Sequence, residues 1–187
     1  GDILKEKLLN HTSEPTAQII TIKESDNLLT NKKDITLFSF YADCVPLYFY
    51  DPQNEVIGLA HAGWKGTVKK IAYKTLKRMN EYYGSKIENC LCAVGPAISK
   101  DYYEVDNRVM EEVKNNFDFY KEISVYKSKG HFLLDLQLLN KIILMNSGIK
   151  ENNIDMSNMC TYANEDDFFS YRRDQGKTGR MASIISL

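Results

Sequence analysis

The stretch "PLYFYDPQNEVIGLAHA", residues 46–62, constrains this chain more than any other. Two apolar runs rich in β-branched and aromatic residues flank Asp51-Pro52-Gln53-Asn54-Glu55, a cluster with turn chemistry. The pattern predicts an antiparallel hairpin turning about Gln53 and Asn54, with Cys44 across from His61 or Ala62 and Cα atoms about 5 Å apart. One thiol and one imidazole then meet at the open end of the hairpin. Pro46 has no N–H to give a ladder, so an edge strand or a bulge is expected there.

Around the hairpin the periodicity alternates between strand and helix. "AQIITIKES" and "DITLFSFYADC" read as strands before it. After it, Val68, Ile71, Ala72, Thr75, Leu76 and Met79 mark one face of a helix, with Thr67 as N-cap and Gly84 as stop. "NCLCAVGPAI" is a further strand, Val105 to Phe117 a second helix face, and "ISVYKSK" another strand. A third helix runs from an Asp135 cap to a stop at Gly148, and the tail closes on an apolar strand. Hairpins mixed with helices give an α+β fold, a compact mixed β-sheet sandwich with flanking helices, rather than a regular βαβ array. Residues 1–187 suit a single domain. The chain opens on Gly1 within an amphipathic helix pattern, so its N-terminus is read as incomplete.

Composition narrows the function classes. No run of about 18 apolar residues and no signal-peptide pattern is present, so the expected compartment is the cytoplasm. Four cysteines without framework spacing in 187 residues argue for reduced thiols. A net charge of -1, with both signs mixed along the chain, gives no nucleic-acid footprint and points to a small-molecule partner.

A paired cysteine and histidine suit three different roles. They form a nucleophilic dyad, supply two ligands to zinc, or sit as a core thiol beside a hydrogen-bonded imidazole, and residue spacing leaves all three open. "AGWKGT" follows His61 directly, so Lys65 and the next backbone amides are candidate anion contacts, set against an ordinary strand-to-helix turn. Trp64 reads as core in preference to a stacking platform. Arg172, Arg173 and Arg180 suit phosphate or carboxylate, with Asp166, Asp167 and Asp174 near enough in sequence to pair with them. Cys90, Cys92 and Cys160 read as structural thiols; His131, just before a helix, either reaches the site or bonds the local backbone, and the second reading is favoured.

"YADCVPLYFYDP", "GLAHAGWKGT", "VGPAISKDYYEV" and "CTYANEDDFFSYRRDQGKTGRMA" together resemble, in order, the blocks of the YfiH-like, laccase-domain family of purine nucleoside phosphorylases. The resemblance runs from about Asp34 onward. It implies a compact α+β fold and a metal site, usually zinc, built from a histidine of an upstream Gln-x-His segment, the cysteine of Ala-Asp-Cys and the histidine of His-Ala-Gly-Trp. The last two are Cys44 and His61. It also implies phosphorolysis of adenosine, inosine and methylthioadenosine, with adenosine deamination beside it.

The chain departs from the family upstream. "TAQIITI" keeps Gln18 without the histidine, and His11 lies too early to match. A histidine-bearing segment omitted between Gln18 and Ile19 is favoured over a deletion or a genuinely altered site, because "TAQ" and "IITI" both look like family pieces. Cys44, His61 and Asp43 are the candidate catalytic residues, Asp43 for proton transfer or for orienting its neighbours. Gln18, Lys65, Arg172 and Arg173 are the candidate contacts to nucleoside and phosphate. Three histidines are too few for a multicopper cluster, although copper at a single Cys-His site remains open beside zinc. The rivals are a Cys-His hydrolase, a polyphenol oxidase, and a nucleoside-binding protein with a decayed site.

Overall fold

The computed structural model describes residues 26–187. The opening helix, the strand "AQIITIKES", His11 and Gln18 lie wholly or largely outside them. The described residues form β1 (Asn27–Thr30), β2 (Leu37–Tyr41), β3 (Val45–Asp51), β4 (Val56–Ala62), α1 (Trp64–Val68), α2 (Ile71–Tyr83), β5 (Leu91–Val94), β6 (Glu104–Asp106), α3 (Asn107–Asn116), α4 (Tyr120–Ile123), β7 (Ser124–Ser128), β8 (His131–Leu134), α5 (Leu136–Asn146), β9 (Ile154–Met156) and β10 (Met181–Ile185). Five strands make the main sheet in the order β1-β4-β3-β5-β9, while β10-β2 and β6-β8-β7 form two smaller sheets. No described helix is long and apolar enough to cross a membrane.

Alternation along the hairpin builds two cores. Val45, Leu47, Phe49, Ala60 and Ala62 face the helices and join Leu76, Met79, Leu139 and Leu144 in the larger one. Ile57 and Leu59 face the other way, where Leu37 and Ile185 of the β2–β10 ribbon cover them, with Tyr48 and Tyr50 alongside. The fold is therefore the expected α+β sandwich: helices on one face of a mixed sheet and a two-stranded ribbon on the other.

The hairpin turn is set by Asp51, whose carboxylate accepts from the Gln53 and Asn54 amides at 2.9 and 3.4 Å and from the Asn54 side chain at 2.7 Å. The register differs from the expectation. Val45 pairs with Ala62 and Pro46 with His61, so Cys44 lies just past the last rung, level with Gly63. The turn closes symmetrically about Gln53 and Asn54, and that symmetry moves Cys44 two positions off His61. A two-residue offset preserves the face, so the pair stays on one side of the sheet as diagonal neighbours.

Pro46 does not mark an edge, because β3 is the central strand. Its carbonyl accepts from Gly95 N, so its backbone faces β5 beyond the first β3–β5 rung, Leu47 with Val94, and its missing N–H removes no bond to β4. "DITLFSFYADC" is likewise not one continuous strand. It breaks after Tyr41, where Asp43 takes a φ of 79°, and the break sends β2 and β3 into different sheets.

Helix boundaries follow the sequence at most ends. Asp135 Oδ1 accepts from Leu138 N at 2.9 Å, and Gly84 and Gly148 adopt φ of 70° and 105° at the stops. Thr67 is not a cap. It lies inside the short α1, which Gly63 begins, and α2 starts anew at Ile71 after a left-handed Lys70. Buried Thr67 donates to Ala62 O and accepts from Asn140 Nδ2 at 3.0 Å, tying β4 to α5. Replacing Asn140 with Ala leaves that buried hydroxyl without its donor. Urea denaturation of Asn140→Ala is expected to show a loss of about 1–3 kcal/mol with native secondary structure retained by circular dichroism.

Candidate active site

A cavity of about 990 Å³ opens where the ends of β3 and β4 meet the β6-β8-β7 sheet and the loop preceding β10. Cys44 and His61 line it. A Cβ placed on Gly63 would sit 2.9 Å from Cys44 Sγ and 4.0 Å from His61 Nε2, so both donor atoms converge on the space that this glycine leaves open. The His61 ring is packed against Tyr41, centroid to centroid 4.7 Å, and the Tyr41 hydroxyl donates to Ala60 O. One face of the imidazole is therefore set against a ring of the β2–β10 ribbon.

Protonation separates the possible uses of the pair. Burial pushes the Cys44 thiol up to about 11, the Asp43 carboxylate adds to the shift, and the Arg180 guanidinium opposes it. Burial also lowers the His61 pKa below its usual range, with Asp26 opposing. At neutral pH the pair is a thiol beside a neutral imidazole, not the thiolate and imidazolium of an activated dyad. A cation between them reverses this, because coordination deprotonates a thiol outright. A soft sulfur and an imidazole nitrogen fit zinc or copper(I) as two ligands. Among the described residues no group of three His, Cys, Asp or Glu is placed to hold a metal ion.

Asp43 turns away from this pair. Its Oδ1 accepts from Thr161 Oγ1 at 2.7 Å, and its Oδ2 accepts from Ser170 Oγ at 3.0 Å and Arg172 N at 2.7 Å. Both oxygens are engaged and only 7% of the residue is exposed, so the carboxylate, at the edge of the same cavity, holds the turn against the loop. The left-handed backbone at Asp43 separates its direction from that of Cys44.

The arginines divide by role. Arg172 stays at the cavity, its guanidinium 5.3 Å from the Tyr103 ring centroid and its Nη1 donating to Glu104 O. Arg180 also lines the cavity. Arg173, a candidate phosphate contact, lies off the cavity wall: it donates to the carbonyls of Thr161, Tyr162 and Phe168 and to the Asp174 carboxylate, stapling the loop. Lys65 is also displaced from its expected place, since it is exposed, lies off the cavity wall, and holds its Nζ 5.7 Å from the Trp64 ring centroid. The helix beginning at Trp64 lasts one turn and then restarts, which carries Lys65 outward.

Further residues complete the cavity wall. Trp64 packs on the core and also lines the cavity wall. His131 lines it too, and its Nδ1 pairs with Glu104 Oε1 at 2.8 Å in place of local backbone. Tyr102 and Tyr162 stack at 4.4 Å and 16° along the same wall. These tyrosines belong to the blocks "SKDYYEV" and "CTYANEDD", but nothing in their spacing marks them as a pair. Cys90 and Cys92 are buried structural thiols, whereas half-buried Cys160 accepts from Ser99 Oγ at 3.1 Å.

The family model for the multi-copper polyphenol oxidoreductase laccase matches residues 5–187. The chain belongs to this family. Relatives include the purine nucleoside phosphorylase YlmD of Bacillus subtilis strain 168, 43% identical over 89% of this chain and 60% of its own length. A purine nucleoside phosphorylase of Bacteroides thetaiotaomicron is 37% identical over 87% of this chain and 60% of its own. Among solved structures, the hypothetical protein YfiH of Bacillus licheniformis superposes with a TM-score of 0.85 at 38% identity, covering 87% of this chain and 61% of that one. YlmD of Geobacillus stearothermophilus gives 0.82 at 36% identity, covering 86% and 60%. The chain thus spans about three-fifths of the length of these relatives.

Two outcomes test the site as described. In metal-free protein, alkylation of the Cys44 peptide, followed by mass spectrometry, is expected to rise about tenfold per pH unit from about pH 7 to 9.5 without levelling. A plateau below about pH 8 would instead mark an activated dyad. Asp43→Asn keeps a residue that tolerates the left-handed backbone but removes the charge; a stability loss of about 1.5–3 kcal/mol is expected on denaturant titration.

Proposed function

We propose that this chain carries the catalytic site of a metal-dependent purine nucleoside enzyme acting in the cytoplasm. It cleaves adenosine, inosine and methylthioadenosine with phosphate and also deaminates adenosine. The observation that carries this reading is the convergence of Cys44 Sγ and His61 Nε2 beside Gly63, within a cavity walled by aromatic rings and bordered by Arg172 and Arg180. The names of the relatives support it.

In this reading Cys44 and His61 supply two ligands to zinc, with copper as the alternative, and a third comes from outside residues 26–187. The ion, when bound, supplies Lewis acidity and water activation, the chemistry that deamination at C6 of adenine needs. Phosphorolysis places its demands on the protein itself. An oxygen of hydrogenphosphate bonds to C1′ as the C1′–N9 bond breaks, and the hydrogenphosphate proton ends on the departing base. The reaction gains from fixed orientation and from positive charge near the phosphate. The stacked Tyr102 and Tyr162 offer a flat apolar surface to a purine, and Asp43 fixes the Cys44 turn against the arginine-bearing loop.

The deciding experiment is product analysis of adenosine with full-length, metal-quantified protein, with and without phosphate, alongside Cys44→Ala and His61→Ala. Phosphate-dependent adenine release and phosphate-independent inosine formation are expected, each falling to background in both variants with loss of the bound metal. No turnover by protein carrying stoichiometric zinc would overturn the assignment, and nucleoside binding without turnover would make the chain a binding protein. Activity that survives chelation but not thiol alkylation would make it a Cys-His hydrolase.

A further inference from the structure

The wall formed by β6, β8 and β7 carries charged side chains that the Cys44–His61 pair does not use. Glu104 pairs with Leu133 and Asp106 with His131, which puts Glu104 and His131 on one face of this sheet. Between β7 and β8 the pairing passes from Tyr126 with Phe132 to Ser128 with His131, a bulge that leaves Lys127 as the extra residue. Bulges re-aim side chains, and this one turns Lys127 toward Glu104. Lys127 Nζ donates to Glu104 Oε2, while His131 Nδ1 pairs with Oε1. The Glu104 carbonyl accepts from Arg172 Nη1 at 2.8 Å. One residue thus gathers three donor side chains, and all four line the cavity that holds Cys44 and His61.

Stability does not account for the arrangement. Lys127 and His131 are each about half exposed, and ion pairs that open to water contribute little. Ligand recognition accounts for it better. The Glu104 carboxylate cancels one of two permanent positive charges and leaves the group net cationic. Most of the ammonium and guanidinium N–H groups remain available as donors, and the second imidazole nitrogen of a neutral ring is an acceptor for the hydroxyl of hydrogenphosphate. Anchoring to a shared residue fixes the donors before a ligand arrives, which lowers the ordering cost of binding. Asp101 and Asp106 also line the cavity; Asp106 lies across from His131 and its Oδ1 caps α3 on Val109 N, while Arg180 adds a further positive charge to the same cavity.

We infer that Lys127, His131 and Arg172, held on Glu104, form the anion subsite that takes inorganic phosphate as the co-substrate. This rests on the nucleoside reading above. It places phosphate at the β6-β8-β7 wall, away from the turn that carries Lys65.

The test is a set of initial rates with inosine at varied inorganic phosphate, using full-length wild type, Lys127→Ala, His131→Ala and Lys127→Arg, all checked by circular dichroism. Each alanine variant is expected to raise the phosphate KM about tenfold, with the inosine KM within about twofold, and Lys127→Arg to recover most of the loss. Calorimetric titration of inorganic phosphate, without nucleoside, is expected to weaken in parallel. A phosphate KM unchanged in both alanine variants, or one that moves in Lys65→Ala instead, overturns the subsite while leaving the nucleoside activity standing. Equal rises in both KM values overturn it in favour of a purely structural wall. Inosine 5′-monophosphate, titrated in the same way, separates the two sources of a phosphate group: loss of nucleotide affinity with an unchanged phosphate KM assigns the cluster to a substrate-borne phosphate and overturns the inference. Wild-type cleavage that ignores phosphate overturns both the subsite and the phosphorolytic reading.

Discussion

The carboxylate of Asp43 is the constraint on which the site depends. It is buried at the break between β2 and β3, and it accepts from Thr161, Ser170 and the Arg172 amide, residues more than 110 positions away in sequence. A buried charge is tolerated only when it is fully hydrogen-bonded, so the loop that carries those donors has little freedom to leave. Cys44 follows Asp43 directly, and Arg172 carries one of the donors itself. One carboxylate therefore sets the distance between the thiol and the cationic border of the cavity.

Most of the fold was legible because it rests on short-range rules. The Asp51 turn, the Asp135 cap and the glycine stops at 84 and 148 are each decided within a few residues, and the sequence announces them. The errors share a physical origin in long-range packing. Thr67 looks like a cap, but Asn140, 73 positions away, recruits it into a buried bond. Pro46 looks like an edge residue, yet it lies in the central strand with its backbone turned toward β5, so its missing N–H removes no bond to β4.

The candidate site was legible in its chemistry and less so in its membership. Cys44 and His61 are found by pairing across a hairpin, and a register error of two leaves them on the same face. Lys65 and Arg173 were expected from residue type, and residue type says nothing about direction. The single turn of α1 carries Lys65 outward, and three carbonyls claim the Arg173 guanidinium. Glu104 and Lys127 escaped notice because a sheet distant in sequence brings them to the cavity, and the bulge at Lys127 leaves no mark in the periodicity.

The donors to Asp43 have a further consequence, for the order in which the molecule is made. Synthesis delivers the chain from its N-terminus, and the hairpin and its helices precede Thr161, Ser170, Arg172 and β10. Until those residues emerge, Asp43 lacks its three partners and β2 lacks the strand that pairs with it. The thiol and imidazole sides of the pocket are therefore laid down before the arginine-bearing loop that closes against them.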